Sequence, residues 1–422
     1  MLTENLKKII EEFNLKTPNN VGVGYGFKIS NGIDTRKESI IFFVPEKKKL
    51  SNLFPEEILP NEPITIDNKT YFMDVVEVGE IEVLACNPQC NLWITNPPPN
   101  RLYIRPVQGG ISLTSKSKLG FVGTLGFVAV DIATQSLVGV TNNHVVIKDA
   151  FYTTQRNLGG VIFNEYNLND NGSLEVDLAY QPGESPLGPP QNIIGQVVRY
   201  VPIYLGFTTN NKVDGALISL SGTPILSLTE SYKQYGLTGN TTPIPFASTA
   251  EIDLLLSTNP ILYSSGRTTG VKQAPTCPLR VYSLGTTQPI SGYKMQGNIV
   301  TAYFSDLIAF VRPENDPSLS SLCLNPIAGG DSGSALIADF SGIWKIVGLN
   351  FAGGGNFGFA CRIDHVASEL GIQAWDGSLK NLVDPTTIQF VTVTGTTNSY
   401  MVNCSGQTYY QMGLTITSNQ CN

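Results

Sequence analysis

From Arg101 to about Trp375 the chain runs as strand after strand, and this pattern constrains its fold more than any other feature. Short apolar stretches at 120–132, 137–141, 193–202, 215–220, 279–284, 298–304, 334–338 and 344–351 are separated by Gly, Asn and Pro. No long amphipathic helix interrupts them, so each strand must bury its apolar face against other strands, in a closed barrel or a sandwich. Composition agrees: charged residues are only 14% of the chain, with 41 Gly and 26 Pro to supply turns. The fold expected is mostly β.

Two flanking segments read differently. Near the start, Leu6, Ile9, Ile10 and Phe13 form one apolar helical stripe, with Thr3 as its cap. Strands are expected at 21–28 and 39–44, with Asn31-Gly32 as a turn signal, and again at 70–78 and 80–85. Residues 1–96 therefore read as a small α+β domain, closed by the linker Asn96-Pro97-Pro98-Pro99-Asn100. Weak periodicity across 222–251 suggests a connection between two barrels, one over 101–222 and one over 255–375. The last segment, 384–422, reads as a β appendage. Ile388, Phe390, Val391 and Val393 make one strand-like run, and Tyr410, Met412, Leu414 and Ile416 alternate in a second.

Charge and cysteine content exclude several functions. With 27 basic and 34 acidic residues, a net charge of −7 and no Lys/Arg cluster, no nucleic-acid partner is expected. No apolar run approaches the roughly 20 residues of a membrane span. The start, Met1-Leu2-Thr3-Glu4-Asn5-Leu6-Lys7-Lys8, lacks the basic-then-apolar order of a secretory signal, so the expected location is cytoplasmic. Seven cysteines are too few and too scattered for a disulfide scaffold and read as reduced thiols, Cys404 with Cys421 being the pair to form under oxidising conditions. Cys86 and Cys90 have no second Cys/His pair nearby, and neither a metal nor any other cofactor is expected. Oligomeric state has no signature here.

Three short motifs carry chemistry. Gly329-Gly330-Asp331-Ser332-Gly333-Ser334 sets a hydroxyl on a tight turn between glycines, where backbone N–H groups can hold a developing oxyanion. The chain has only two histidines, and His144 ends the apolar run Gly139-Val140-Thr141-Asn142-Asn143-His144, at a strand-to-turn junction. In Val213-Asp214-Gly215-Ala216-Leu217-Ile218 a carboxylate precedes an alternating strand, as for an acid at a barrel rim. A different order, Ser332 with Asp339 or Asp364 and His365, would suit another hydrolase class. That reading is disfavoured because Ser334 stands where a nucleophile elbow needs glycine, and no βαβ pattern surrounds it.

Histidine, then aspartate, then serine is the order in chymotrypsin-like proteases. Through Thr141-Asn142-Asn143-His144-Val145-Val146, Asp214-Gly215-Ala216-Leu217-Ile218 and Gly330-Asp331-Ser332-Gly333-Ser334 the chain resembles that family. It is similar in particular to a bacterial, phage and plant branch that includes the plant narrow-leaf protein. Further matches are Val21-Gly22-Val23-Gly24, Arg105-Pro106-Val107-Gln108-Gly109-Gly110, Gly266-Arg267-Thr268-Thr269-Gly270 and Val347-Gly348-Leu349-Asn350-Phe351-Ala352-Gly353, so the resemblance spans about 20–370. It implies a chymotrypsin-like double six-stranded β-barrel and a serine endopeptidase acting on a protein or peptide. Ser332 would be the nucleophile, His144 the general base and Asp214 its orienting acid, with the oxyanion hole at the N–H groups of Gly330 and Ser332.

The match is not uniform. His144 and Asp214 lie 70 residues apart and Asp214 and Ser332 118 apart, wider than in compact digestive enzymes. Those enzymes mature by a cleavage whose new amino terminus pairs with the carboxylate beside the serine. Arg105-Pro106 is a poor site for such a cut, so Asp331 should find another partner. Asp177, in Val176-Asp177-Leu178-Ala179-Tyr180, competes with Asp214 for the role of acid. By the resemblance, Asn325-Pro326-Ile327 and Phe351-Ala352-Gly353 line the substrate pocket. The absence of Asp and Glu from both predicts a small or apolar side chain rather than Lys or Arg. The alternative is a catalytically silent double-barrel scaffold that binds a partner protein.

Overall fold

The computed structural model describes residues 2–18, 20–30, 33–84, 99–147, 155–158, 161–164, 178–183, 192–220, 226–227, 229–274, 277–295, 298–312 and 326–378, and four strands beyond 387. The chain is mostly β and built on two large sheets, consistent with a chymotrypsin-like double β-barrel.

The first sheet has eight strands. At its centre Leu137–Thr141 runs antiparallel to Phe127–Asp131 on one side and to Ala216–Leu220 on the other. Ile193–Tyr200, Leu178–Tyr180, Ile111–Ser115 and Gly123–Leu125 continue it, and Ile372–Ala374 returns late in the chain to pair with Phe127–Asp131. Both faces of its middle strands are buried, so they read as continuous apolar runs rather than alternating ones.

The second sheet is larger than the sequence suggests, with 13 strands. Its core is Ile261–Gly266, Ala335–Phe340, Ile343–Gly354, Phe357–Arg362, Asn298–Val311 and Arg280–Met295, and the last of these is 16 residues long. The helix Glu4–Lys16 forms where expected, and Thr3 accepts from Leu6 N–H at 3.2 Å. Its Leu6 and Ile10 are buried. Gly22–Ser30, Ile33–Val44, Lys69–Glu77 and Ile64–Ile66 follow. Gly22–Ser30 pairs antiparallel with Arg280–Met295, so the N-terminal strands prolong the second sheet instead of standing apart. An unpaired edge on a strand this long would be open to aggregation, and the N-terminal strands cover it.

Beyond 387, Ile388–Thr392 pairs with Ser399–Asn403, and Tyr409–Gln411 with Leu414–Ile416. The alternating run at 410–416 is thus two strands of a hairpin, not one; Gly413 between them is a residue type that interrupts strands. Cys277 is disulfide-bonded to a partner outside the described residues, which corrects the expectation of reduced thiols throughout. Cys86, Cys90, Cys404 and Cys421 lie outside the described residues. Among the described residues no helix is long and apolar enough to cross a membrane.

Candidate active site

Strand register brings His144 and Asp214 together. Thr141, the last residue of Leu137–Thr141, lies opposite Ala216, the first of Ala216–Leu220. Three residues beyond one and two before the other, His144 and Asp214 meet at the same rim. His144 sits in the single helical turn Asn143–Val146, where its backbone N–H donates to Asp214 Oδ1 at 3.1 Å. Its ring Nδ1 lies 2.6 Å from Asp214 Oδ2. Tyr293 Oη–H donates to the same Oδ2 at 2.7 Å, and Asn142 holds the Asp214 backbone carbonyl at 2.6 Å.

Asp214 is fully buried. Burial alone would raise its pKa, but the adjacent His144 and the bonds from His144 and Tyr293 outweigh that and hold the carboxyl below its ordinary value. Tyr293 moves the opposite way: burial and the neighbouring carboxylate push its phenol well above the usual range. Asp214 therefore accepts as an anion, and Tyr293 donates as a neutral phenol.

Ser332 lies on the turn before Ala335–Phe340, between two glycines with φ of +96° at Gly330 and +92° at Gly333. Any other residue type would be strained at both positions. A Cβ at Gly333 would also overlap Thr124 O and Thr141 Oγ1, so the first sheet packs directly on the serine turn. Thr124 fastens the contact: its N–H donates to Ser332 O at 2.8 Å and its hydroxyl to Gly330 O at 2.8 Å. Thr141, three residues before His144, donates to Thr124 O at 2.7 Å.

The histidine rim and the serine turn thus share Thr124 and Thr141, but their side chains are not hydrogen-bonded to each other. Ser332 Oγ donates to Phe351 O at 3.1 Å. His144 Nε2 is buried and without a hydrogen-bond partner among the described residues. Gly330 N–H, one of the two expected oxyanion donors, holds Leu84 O at 2.6 Å.

No family model matches the chain, and no curated protein matches it in sequence. Among solved structures it is similar to a glutamic-acid-specific serine protease at 15% identity and TM-score 0.33, covering 64% of this chain and 100% of that one. It is similar to Cellulomonas bogoriensis chymotrypsin at 14% and TM-score 0.33, over 64% and 98%. A Nocardiopsis protease gives 16% and 0.34, over 64% and 98%. Scores at this level leave the chemistry to be argued from the site itself.

The remaining sequence-predicted residues fall as follows. Phe351 and Ala352 are fully buried, and Pro326 is buried. The Phe351 ring packs on Phe304 with centroids 4.8 Å apart, so its backbone carbonyl, not its ring, is what it presents at Ser332. Gly353 stands against Ile327 and Leu84, and no acid is among these residues. Asp331 does have other partners: Oδ1 accepts from Thr268 N–H at 2.7 Å and Thr269 N–H at 3.0 Å, and Oδ2 from Thr269 Oγ1 at 2.8 Å and Ala328 N–H at 3.0 Å. That set explains the Gly266-Arg267-Thr268-Thr269-Gly270 motif.

Asp177 and Asn325 lie outside the described residues. His365 does not join Ser332 with Asp339 or Asp364; its Nε2 lies 2.8 Å from Asp306 Oδ2, while Asp339 accepts from Tyr263 and Gly342. Among the described residues no three His, Cys, Asp or Glu side chains converge as a metal site requires. Sequence reasoning missed Tyr293, and nothing in the order of residues there points to Asp214. It also missed Leu84, whose apolar run reads as an ordinary strand.

Proposed function

We propose that this protein is a serine endopeptidase that hydrolyses protein or peptide substrates through an acyl-enzyme. The observation that carries the reading is the His144–Asp214 pair, Nδ1 to Oδ2 at 2.6 Å, with the opposite ring nitrogen unpartnered among the described residues and the Ser332 turn tied through Thr124 to Thr141, three residues before His144. In this reading Ser332 Oγ rotates from Phe351 O to His144 Nε2, gives up its proton there and attacks the substrate carbonyl. Asp214 keeps the proton on Nδ1, so that Nε2 is the basic nitrogen, and stabilises the imidazolium that forms. The N–H groups of Gly330 and Ser332 receive the oxyanion. His144 then passes the proton to the leaving amine, and water releases the acyl group by the same steps. Pro326, Phe351, Ala352 and Gly353 belong to the pocket that selects the side chain, and no cofactor takes part.

A second reading, a silent scaffold, is favoured by one feature: Ser332 is fully buried and bonded to Phe351 O rather than to the base. A fluorophosphonate probe separates the two. Labelling of the wild-type protein but not of Ser332→Ala supports the peptidase. A folded protein left unlabelled, also after the segment before residue 85 has been displaced from the site, supports the scaffold.

A further inference from the structure

Residues Glu80 to Leu84 lie along the serine site as an added strand. Glu82–Val83 pairs antiparallel with Ile343–Gly354, Val83 opposite Ala352 and Glu82 opposite Gly353. On the other side Glu82 pairs parallel with Ser291, and Ser291 N–H donates to Ile81 O at 2.9 Å. The pairing ends at the catalytic turn. Leu84 N–H donates to Phe351 O at 3.2 Å, the same carbonyl that holds Ser332 Oγ, and Leu84 O accepts from Gly330 N–H at 2.6 Å.

The side chains fit as well. A Cβ on Gly353 would lie 3.2 Å from Leu84 Cδ1 and 2.7 Å from Ile327 Cγ2, so Leu84 enters the gap that this glycine leaves beside Ile327. A Cβ on Gly354 would strike Glu80 O, so the glycine pair in Phe351-Ala352-Gly353-Gly354 admits the strand. Main-chain bonds give such an added strand its affinity, and side-chain pockets give it selectivity. A carbonyl held by an N–H two residues before the nucleophile is a carbonyl placed for attack.

We infer, on the basis of the peptidase reading, that Glu82–Leu84 is a substrate strand built into the chain, that Leu84 fills the primary specificity pocket, and that the protein cleaves itself on the carboxyl side of Leu84. Ser332 Oγ bonds to the Leu84 carbonyl carbon as the Ser332 proton moves to His144. The bond from that carbon to the Ala85 nitrogen breaks, and the nitrogen leaves with the proton from His144. Water then attacks the acyl carbon as one of its protons moves to His144, the bond from that carbon to Ser332 Oγ breaks, and His144 returns the proton to Ser332 Oγ, leaving Leu84 with a free carboxyl group that ionises in water. No outside reagent beyond water is needed. Residues 1–84 stay in place after the cut, because Gly22–Ser30 remains paired with Arg280–Met295, so the product strand continues to block the groove. The same pocket implies that foreign substrates are cut after a medium-sized aliphatic residue. The Asp331 carboxylate is already satisfied by Thr268, Thr269 and Ala328, so a new amino terminus at Ala85 has no structural task there.

The test is intact-mass and amino-terminal sequencing of the full chain during incubation, with fluorophosphonate labelling in parallel. The wild type should yield a fragment beginning at Ala85 and Ser332→Ala none. Leu84→Ala should slow the cut about 10²-fold while leaving the groove easier to enter and Ser332 quicker to label. Leu84→Asp should stop the cut, and circular dichroism checks that both variants fold. If the wild type stays whole or is cut elsewhere while Leu84→Ala is labelled at Ser332, this inference fails and the peptidase reading stands. Cleavage of Ser332→Ala after Leu84 would also overturn it. If nothing is cut and no folded variant is labelled, the peptidase reading itself fails.

Discussion

The two histidines of this chain each meet an aspartate, fully buried for His144 and partly buried for His365, and they differ in the company that aspartate keeps. His144 gives Nδ1 to Asp214 at 2.6 Å and leaves Nε2 buried without a partner among the described residues. His365, on the helix Ile363–Leu370, gives Nε2 to Asp306 at 2.8 Å. Asp306 also bonds Arg362 at 3.1 Å, and Arg362 reaches Asp253 and Asp364 at 2.8 Å each. A short His–Asp contact is therefore no mark of catalysis in itself. What separates the pairs is the company of the aspartate. Asp214 accepts from neutral donors, Tyr293 and the His144 backbone, so among the described residues the imidazole is its only cationic partner when protonated. Asp306 has a permanent guanidinium beside it and belongs to a network that pins the helix to the sheet.

The sharpest way to break this comparison is to remove each ring. His144→Ala should lower turnover on the order of 10⁶-fold, as should Ser332→Ala. His365→Ala should leave turnover within a few-fold and lower the unfolding midpoint instead. Steady-state rates on a peptide substrate and denaturant titration of the same samples read both. Equal losses of activity from the two variants would show that the distinction drawn here is wrong.

The aspartates come next. Asp214→Asn keeps the shape of the site but presents an amide to Nδ1 and favours the wrong tautomer, so turnover should fall about 10⁴-fold. Asp177→Asn should leave it nearly unchanged. The reverse result would return the role of acid to Asp177.

This much was legible in the sequence because it is local. His144 and Asp214 each stand a few residues from a short continuous apolar run that reads as a strand, and Ser332 is flanked by glycines that a tight turn requires. The 13-stranded extent of the second sheet was not legible, because an edge pairing between Gly22–Ser30 and Arg280–Met295, more than 250 residues apart, leaves no periodic trace. Tyr293 was hidden for the same reason: it lies on a strand far from both motifs, and only the folded sheet carries its hydroxyl to Asp214. Leu84 was the hardest of all. Ile81-Glu82-Val83-Leu84 reads as any strand, and what makes it unusual is the Ser332 turn it ends against.

Tyr293→Phe sharpens the comparison from the Asp214 side. It removes one hydrogen bond to a buried carboxylate and keeps the ring that stacks on Phe304 at 6.0 Å. Losing a bond to a charged group costs about 1.5–3 kcal/mol, so turnover should drop roughly 10- to 100-fold, mostly in kcat, with His144 still paired. Among the described residues Asp306 is bonded by Arg362 and His365 and by no hydroxyl, so the structural pair offers no corresponding change.

The smallest effect expected is the pH dependence of stability, and it comes from the structural pair. Burial would raise the Asp306 pKa, but the His365 hydrogen bond and the Arg362 charge bring it well below the ordinary carboxylate value. A carboxyl with a depressed native pKa stabilises the fold fully at pH values above its unfolded pKa of about 4. That contribution is lost as the pH falls from there toward the native value, because the unfolded chain takes up the proton first. Asp306→Asn cannot titrate, so it should be less stable than wild type at pH 7 by about 1–3 kcal/mol, with Asp253 and Asp364 still holding Arg362. Between pH 5 and about pH 2 the gap between the two proteins should narrow. Denaturant midpoints measured across that range check it, and a gap that stays constant would mean that Asp306 acts through packing rather than through its charge.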